Sequence, residues 1–164
     1  MPVVTNQIDH PMTVVVAAHQ YRLENIDDFP SMQNEKTLLT VQEGDVLKVE
    51  RIVDVLEDLP QILRDALPQA AKTFVEHLSF DRAAGREDFD MHVENKPDKF
   101  SIRGSIQYRE ISENLTERTV NFEVNINYLF FGALKGAVEA SYVKGLNSEV
   151  EDISRVIESG TVQI

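Results

Sequence analysis

Residues 99–130, which read KFSIRGSIQYREISENLTERTVNFEVNINYLF, carry the clearest pattern in the chain. From Lys99 to Glu110, apolar residues and one glycine alternate with polar residues, and a similar alternation runs from Thr119 to Phe130. A period of two residues over about a dozen positions is typical of a long antiparallel strand with one buried face and one wet face. The polar link between the two segments, residues 111–117, predicts that they form a hairpin.

Weaker alternation upstream predicts further strands near residues 72–80 and 86–94, separated by a turn at residues 82–85. Residues 36–42 and 46–55 predict a second hairpin around Gly44, because glycine tolerates the positive φ of a tight turn. With an opening strand over residues 3–8, the chain contains about seven predicted strands.

Three segments have a helical period instead. In residues 132–159 apolar side chains recur every three to four positions, which predicts a helix about 40 Å long that could cross the whole sheet. A second helix is predicted after Pro11, since proline suits the first helical turn, although the consecutive valines that follow could equally form a strand. The third covers residues 59–67 and is bracketed by Pro60 and Pro68.

Composition narrows the class of protein. A length of 164 residues suits a single domain over residues 1–164. The absence of cysteine excludes disulfides and thiolate chemistry. A net charge of −12 disfavours nucleic acid and anionic lipid surfaces as partners. The N-terminus lacks the features of a signal peptide and no run approaches the ~20 apolar residues of a spanning helix, so we expect a soluble, cytoplasmic protein without integral membrane association.

Motifs for common catalytic and cofactor sites are missing from the sequence. The four histidines are scattered and show no spacing typical of metal ligands. There is no phosphate-binding loop, no dinucleotide-binding glycine motif and no nucleophile elbow. We therefore predict no cofactor, no metal and no assigned catalytic residue.

Two features point to a binding cavity. The first half of the long helix is rich in small residues, so a helix facing long apolar strands leaves either close packing or a cavity. Two charged residues, Arg51 and Glu76, also interrupt otherwise apolar strand faces. An isolated buried charge costs several kcal/mol, so we expect the two to pair with each other, or to border a wet cavity and orient the polar head of a ligand.

These observations predict a ligand site between the sheet and the C-terminal helix. Its predicted ligand-binding residues are Arg51, Val53, Phe74, Glu76, Leu78, Phe89, Met91, Ile102, Ile106, Tyr108, Phe122, Val124, Ala137, Ser141 and Gly145.

The order of elements resembles the START-like (SRPBCC, helix-grip) architecture over essentially the whole chain. Within it, Ile8-Asp9-His10-Pro11, segments within residues 59–77, and Lys144-Gly145 resemble the PRELI-like lipid carriers, while uncharacterised bacterial START-like families share the layout. The resemblance implies an α+β fold, with a curved antiparallel sheet wrapped around the C-terminal helix. It also implies that residues 59–67 gate a cavity as a lid, the alternative being a short helix packed on the core.

Three functions remain open at this stage. The first is non-enzymatic binding or transfer of a hydrophobic small molecule or lipid in the cavity. The second is a START-like cyclase or hydrolase with Glu76, Arg51 or Tyr108 as acid–base groups, which a cluster of such residues in one concave site would support. The third is an interaction module with a vestigial pocket and an apolar patch elsewhere. The sequence predicts neither the ligand's identity nor the oligomeric state.

Overall fold

Antiparallel strands form one curved sheet in the computed structural model, which describes residues 2–54, 61–66, 73–94, 96–127 and 134–162. Within these residues the sheet has seven strands in the order β1-β7-β6-β5-β4-β3-β2. The strands are β1 (Val3–Ile8), β2 (Glu35–Glu43), β3 (Val46–Val53), β4 (Phe74–Asp81), β5 (Arg86–Val93), β6 (Phe100–Ser112) and β7 (Leu115–Ile126). The N-terminal strand therefore lies beside the last one, and β2 forms the opposite edge.

Three α-helices lie among the described residues: α1 (Met12–Glu24), α2 (Gln61–Ala66) and α3 (Lys135–Glu158). Two short 3₁₀ turns, Ile26–Asp28 and Pro30–Met32, connect α1 to β2. The segment after Pro11 is helical rather than extended. Its adjacent Val15 and Val16 are both buried in the core, and this tertiary packing outweighs the β preference of valine.

The predicted hairpins are confirmed, with one shift in their boundaries. The turn between β6 and β7 consists of residues 113 and 114 alone, so β7 begins at Leu115, four residues before the predicted start. A register irregularity between Glu110 and Ser112 accommodates the tight turn. Because β7 begins earlier, Thr116 and Arg118 extend its buried face. Residues 128–130, which the prediction included in this strand, lie outside the described residues.

The helix α3 and the helix α1 pack on the buried face of the sheet and on each other, as the predicted α+β arrangement requires. Side chains of α3 that join the core follow the helical period: Val138, Leu146, Ile153 and Val156 are buried, and Tyr142 packs against Phe122 with ring centroids 4.9 Å apart. The predicted helix over residues 59–67 is helical at Gln61–Ala66, and the rest of the proposed lid lies outside the described residues.

The small residues of α3 are divided between two sides of the helix. Gly136 and Ala140 are exposed and do not face the sheet. Gly145 is also exposed, but together with Ser141 it borders the space between α3 and the sheet. Small side chains therefore account for only part of that space, because the large side chain of Leu146 also turns toward the sheet. Gly132 lies outside the described residues.

Candidate functional site

A cavity of about 390 Å³ lies between the buried face of the sheet and α3. Strands β3 to β6 form its floor, Ser141 to Glu149 form one wall, and the end of α1 together with residues 30–35 forms the other. Exposed residues of both walls, such as Gln33 and Lys144, border its mouth. The volume falls in the range of ~300–1,000 Å³ that is typical of small-molecule sites.

Eight of the predicted ligand-binding residues line this cavity. Six come from the strands and two from α3: Arg51, Val53, Glu76, Phe89, Met91 and Ile106, with Ser141 and Gly145. The remaining seven do not line it: Phe74, Leu78, Ile102, Tyr108, Phe122, Val124 and Ala137. Among these, the strand residues are buried in the core itself, where Phe74, for example, packs edge-on against Phe100 with ring centroids 4.8 Å apart.

The cavity is less apolar than the sequence predicts. Its apolar lining includes Leu23, Val53, Phe89, Met91, Ile106 and Leu146. Its acidic and basic lining residues are Arg22, Glu35, Arg51, Glu76, Glu87, Lys144 and Glu149. A molecule that fills this space would therefore contact hydrocarbon and fixed charges at the same time.

Apart from Lys144, the acidic and basic residues of the lining belong to two clusters, and the first cluster lies within the sheet. This sheet cluster consists of Glu35 on β2, Arg51 on β3 and Glu76 on β4. Arg51 and Glu76 are directly opposite each other in the β3–β4 register, and Arg51 Nε donates a hydrogen bond of 2.5 Å to Glu76 Oε1. Arg51 Nη1 lies 3.4 Å from Glu35 Oε2 without a hydrogen bond between them. The predicted pairing of Arg51 with Glu76 is confirmed, and the pair also borders the cavity.

Burial and charge pairing act in opposite directions on the pKa values of both Arg51 and Glu76. Burial raises the pKa of the Glu76 carboxyl to about 7, although the Arg51 guanidinium acts in the opposite direction. Burial also acts to lower the pKa of Arg51, but the carboxylates of Glu76 and Glu35 outweigh it and raise that pKa above its ordinary value. Arg51 therefore stays charged, while Glu76 can gain or lose a proton near neutral pH.

The second group, here called the helix cluster, joins both helices to the sheet. Its members are His19 and Arg22 on α1, Glu87 on β5, Tyr108 on β6, Arg118 on β7, and Glu149 and Asp152 on α3. His19 Nε2 lies 2.5 Å from Glu87 Oε2, and His19 Nδ1 lies 2.7 Å from the Tyr108 hydroxyl. The cluster thus fixes one face of α1 on strands β5 and β6.

On the α3 side of the helix cluster, two arginines meet two acids. Arg118 Nη2 lies 3.1 Å from Glu149 Oε1, and Arg22 Nε donates a hydrogen bond of 3.0 Å to Asp152 Oδ2, which also accepts one from Ser31. Burial acts to raise the pKa of Glu149, but the Arg118 and Arg22 guanidiniums outweigh it and lower that pKa to about 2. Glu149 is therefore ionised throughout the physiological range.

Sequence reasoning missed most of the helix cluster, although two members left a signal. Glu87 has the same strand parity as Phe89 and Met91, so it belongs to the buried face of β5. Arg118 likewise precedes Val120 by two residues on β7, but the predicted strand began one residue too late to include it. His19, Arg22 and Glu149 are polar positions on helices, where the sequence gives no register against the sheet.

Gly104 is a packing position rather than part of the cavity. It lies between Phe89 and Phe122 in the sheet register, and a Cβ atom there would stand 2.0 Å from the carbonyl oxygen of Asn121. Gly104 is therefore required by close packing, because any side chain there would collide with the neighbouring strand.

The described residues also bear on metal binding and membrane insertion. No grouping of three or more His, Asp or Glu side chains in those residues could hold a metal ion. None of their helices is both long enough and apolar enough to cross a bilayer. Outside the cavity, the edge strand β2 exposes Leu38, Leu39 and Val41, which are the kind of apolar surface that an interaction module would require.

Solved structures with the same architecture are numerous and remote in sequence. A Thermus thermophilus protein, TTHA0849, is 15% identical with a TM-score of 0.64, and the alignment covers 98% of each chain. The Zhui aromatase/cyclase from Streptomyces sp. R1128 is 15% identical with a TM-score of 0.63, covering 95% of this chain and 94% of that one. A START superfamily protein from Mycobacterium smegmatis is 10% identical with a TM-score of 0.56, covering 95% and 97%.

These likenesses establish the fold and confirm the START-like resemblance, whereas the PRELI-like resemblance is not confirmed. No curated protein sequence matches the chain. A family model described as "Protein of unknown function (DUF2505)" matches residues 4–157. The chain therefore belongs to this family, and its fold is that of the START-like superfamily.

Proposed function

We propose that the chain forms one START-like domain over residues 1–164 and binds a hydrophobic small molecule or lipid in the cavity between the sheet and α3, without transforming it. The observation that supports this most directly is the cavity of about 390 Å³, in which Phe89, Met91 and Ile106 meet the walls formed by α1 and α3. Burying apolar ligand surface there is favourable by roughly 25 cal/mol per Å². Binding of this kind needs no catalytic apparatus.

The predicted setting of this activity is the cytoplasm, which agrees with a chain that contains no cysteine. Its acidity also makes nucleic acid an unsuitable partner. We take the ligand to be smaller than the full set of fifteen predicted residues would suggest, since six of them are buried in the core and Ala137 does not line the cavity either.

A cavity-filling variant with a matched control tests the proposal. Ser141 lines the cavity, whereas its neighbour Ala140 is exposed and does not. We expect native mass spectrometry or organic extraction of the purified chain to recover an apolar compound. The same treatment should recover it from Ala140→Phe but not from Ser141→Phe. Equal recovery from both variants, or no binding of any apolar compound by the parent chain, would contradict the proposal.

A second candidate function is acid–base catalysis, and the pKa of Glu76 favours it. A carboxyl that titrates near 7 inside a ligand-sized cavity has the property required of a general acid or base. One structural neighbour is described as an aromatase/cyclase, which shows that the fold can host such chemistry. Tyr108, by contrast, does not line the cavity, and burial raises its pKa above the ordinary value.

The two candidates are separated by following the fate of the bound compound. After incubation with the parent chain, mass spectrometry should return the compound unchanged if the chain is a binder. A catalyst would instead release a product of altered mass or retention, and Glu76→Gln would abolish this conversion while retaining binding. Conversion that persists in Glu76→Gln would exclude Glu76 as the acid–base group.

A further inference from the structure

The sheet cluster keeps hydrogen-bonding capacity that the protein does not use. Within the Arg51–Glu76 pair, Arg51 Nε donates a hydrogen bond to Glu76 Oε1. Among the described residues, Arg51 Nη2 and Glu76 Oε2 make no hydrogen bond, and neither is among the side-chain atoms sealed from solvent. Both side chains line the cavity although the two residues are only 6% and 5% exposed. A molecule in the cavity is therefore the partner that these atoms can reach.

The two free atoms have complementary roles. Arg51 Nη2 can only donate a hydrogen bond, and an ionised Glu76 Oε2 can only accept one. They belong to residues that are directly opposite in the β3–β4 register, so a single group can contact both. Leaving such atoms unmatched in a buried ligand complex would cost affinity, because each would lose contact with water without gaining a partner.

The charges around the pair restrict which group can fill this role. A carboxylate or phosphate could bond to Arg51, but it offers no donor for Glu76 and would lie beside that carboxylate when it is ionised. An ammonium group could bond to Glu76, but it offers no acceptor for Arg51 and would face that fixed positive charge. A neutral group that both accepts and donates, as a hydroxyl does, satisfies both atoms.

The apolar part of the ligand has its own contacts beside the pair. Met91 is directly opposite Glu76 in the β4–β5 register, and Val53 follows Arg51 on the same face of β3. Both line the cavity. The polar contact is thus flanked by hydrocarbon on the strands, and a ligand that covers it would keep water away and strengthen a hydrogen bond made there.

We infer that the ligand carries a neutral hydroxyl, or a comparable donor–acceptor group, that accepts a hydrogen bond from Arg51 and donates one to Glu76 while its apolar body lies on Met91 and Val53. This inference rests on the proposed function, since it names the chemical class of molecule that the same cavity takes.

Four probes of equal ring size test the inference: naphthalene, 1-naphthol, 1-naphthoate and 1-naphthylmethylammonium. Their affinities for the full chain are measured by calorimetry or by competition with a fluorescent apolar dye at pH 8, where Glu76 is ionised. We expect 1-naphthol to bind about tenfold or more tightly than naphthalene, since two hydrogen bonds to charged groups distinguish the two probes. Both charged probes should bind more weakly than 1-naphthol.

A paired substitution identifies the residues responsible. Arg51→Met combined with Glu76→Leu removes both polar groups without leaving either as an unpaired buried charge, which protects folding. In this variant 1-naphthol and naphthalene should bind within about twofold of each other. The matched control is Arg103→Met combined with Asp90→Leu, because that pair is exposed on the opposite face of β5 and β6 and should leave the preference intact.

The outcomes separate this inference from the proposed function. If the two neutral probes bind equally tightly and Ser141→Phe blocks both, the cavity is a binding site and the hydroxyl inference is wrong. Tightest binding of the ammonium or the carboxylate probe likewise overturns it. Failure of all four probes to bind, or binding that Ser141→Phe leaves unchanged, contradicts the proposed function itself.

Discussion

The sheet cluster and the helix cluster contain the same kinds of side chain and use them differently. The helix cluster joins α1, three strands and α3, so its contacts hold the helices against the sheet. The sheet cluster stays within β2, β3 and β4 and leaves Arg51 Nη2 and Glu76 Oε2 without a partner among the described residues. Arg118 also has nitrogens without a hydrogen bond, but it is 0% exposed and does not line the cavity.

The two clusters also differ in the pKa values of their carboxyl groups. Two guanidiniums hold the pKa of Glu149 at about 2, whereas burial raises that of Glu76 to about 7. An acid that never changes its charge suits a structural contact. A carboxyl group that gains or loses a proton near neutral pH suits a site that binds a ligand.

Removing the central arginine of the helix cluster should have the largest effect. Arg118→Met leaves the Glu149 carboxylate without its nearest cation, and we expect a loss of about 3–5 kcal/mol in the free energy of unfolding. Urea denaturation at pH 7 measures it. Arg103→Met, at an exposed ion pair, should change stability by no more than about 0.5 kcal/mol. A loss below about 1 kcal/mol for Arg118→Met would show that the cluster does not anchor the helices.

The pH dependence of stability should reveal the sheet cluster. Folded Glu76 keeps its proton up to about pH 7, while the unfolded chain releases it near 4.5. The folded state therefore binds more protons between these values, and its stability falls as the pH rises through this window. The contribution of this one group is about 3 kcal/mol.

Glu76→Gln removes that contribution, so its free energy of unfolding should vary less between about pH 4.5 and about pH 7.5 than that of the parent chain. Denaturant titrations at several pH values measure the difference. An identical slope in both proteins would mean that Glu76 is ionised like an ordinary surface acid. Below pH 4.5 both should lose stability alike, since Glu149 takes up its proton only near pH 2.

A smaller loss should follow from a change at the outer end of the helix cluster. Asp152→Asn keeps the shape of the side chain but weakens its contact with Arg22, and we expect a loss of about 2 kcal/mol. Glu151→Gln, on the exposed face of the same helix, is the matched control and should be neutral within about 0.5 kcal/mol. Equal effects in thermal or urea unfolding would argue that Asp152 contributes no specific contact.

Two glycines of α3 allow the smallest and most selective test. Gly136→Ala and Gly145→Ala should each stabilise the chain by about 0.5–1 kcal/mol, because alanine favours the helix and neither Cβ meets a neighbour. Gly145 lines the cavity and Gly136 does not. Only Gly145→Ala should therefore alter the affinity for 1-naphthol. A change of affinity in Gly136→Ala would show that the cavity responds to helix stability instead.

The sequence predicts the sheet well because the two-residue period reports directly which face of a strand is buried. Arg51 and Glu76 stand out for the same reason, as charges in an otherwise apolar series. The tight turn at residues 113 and 114 was not visible, since polar residues on both sides blurred the strand ends. That error placed Arg118 just outside its strand.

The rotation of α3 about its axis could not be predicted from residue size. Small residues at 136, 140 and 145 suggested a slim face toward the sheet, but Gly136 and Ala140 lie on the exposed side and only Gly145 borders the cavity. Helical periodicity assigns residues to faces of the helix, but it does not show which face meets the sheet. In the structure, the face that contains Leu146 meets the sheet. The polar lining of the cavity could not be predicted for the same reason, because the rotation of α3 places Glu149 beside Arg118 and the cavity.

The pairing of the first strand with the last has a consequence during synthesis. Val3 lies opposite Asn121, so a ribosome must extend the chain almost to the end of β7 before β1 has an edge to join. The helix that covers the sheet is translated later still. The hairpins can form early, but their apolar faces stay uncovered until the final helix has emerged. The nascent chain is thus an expected client for chaperones, and shortened products that lack α3 should aggregate.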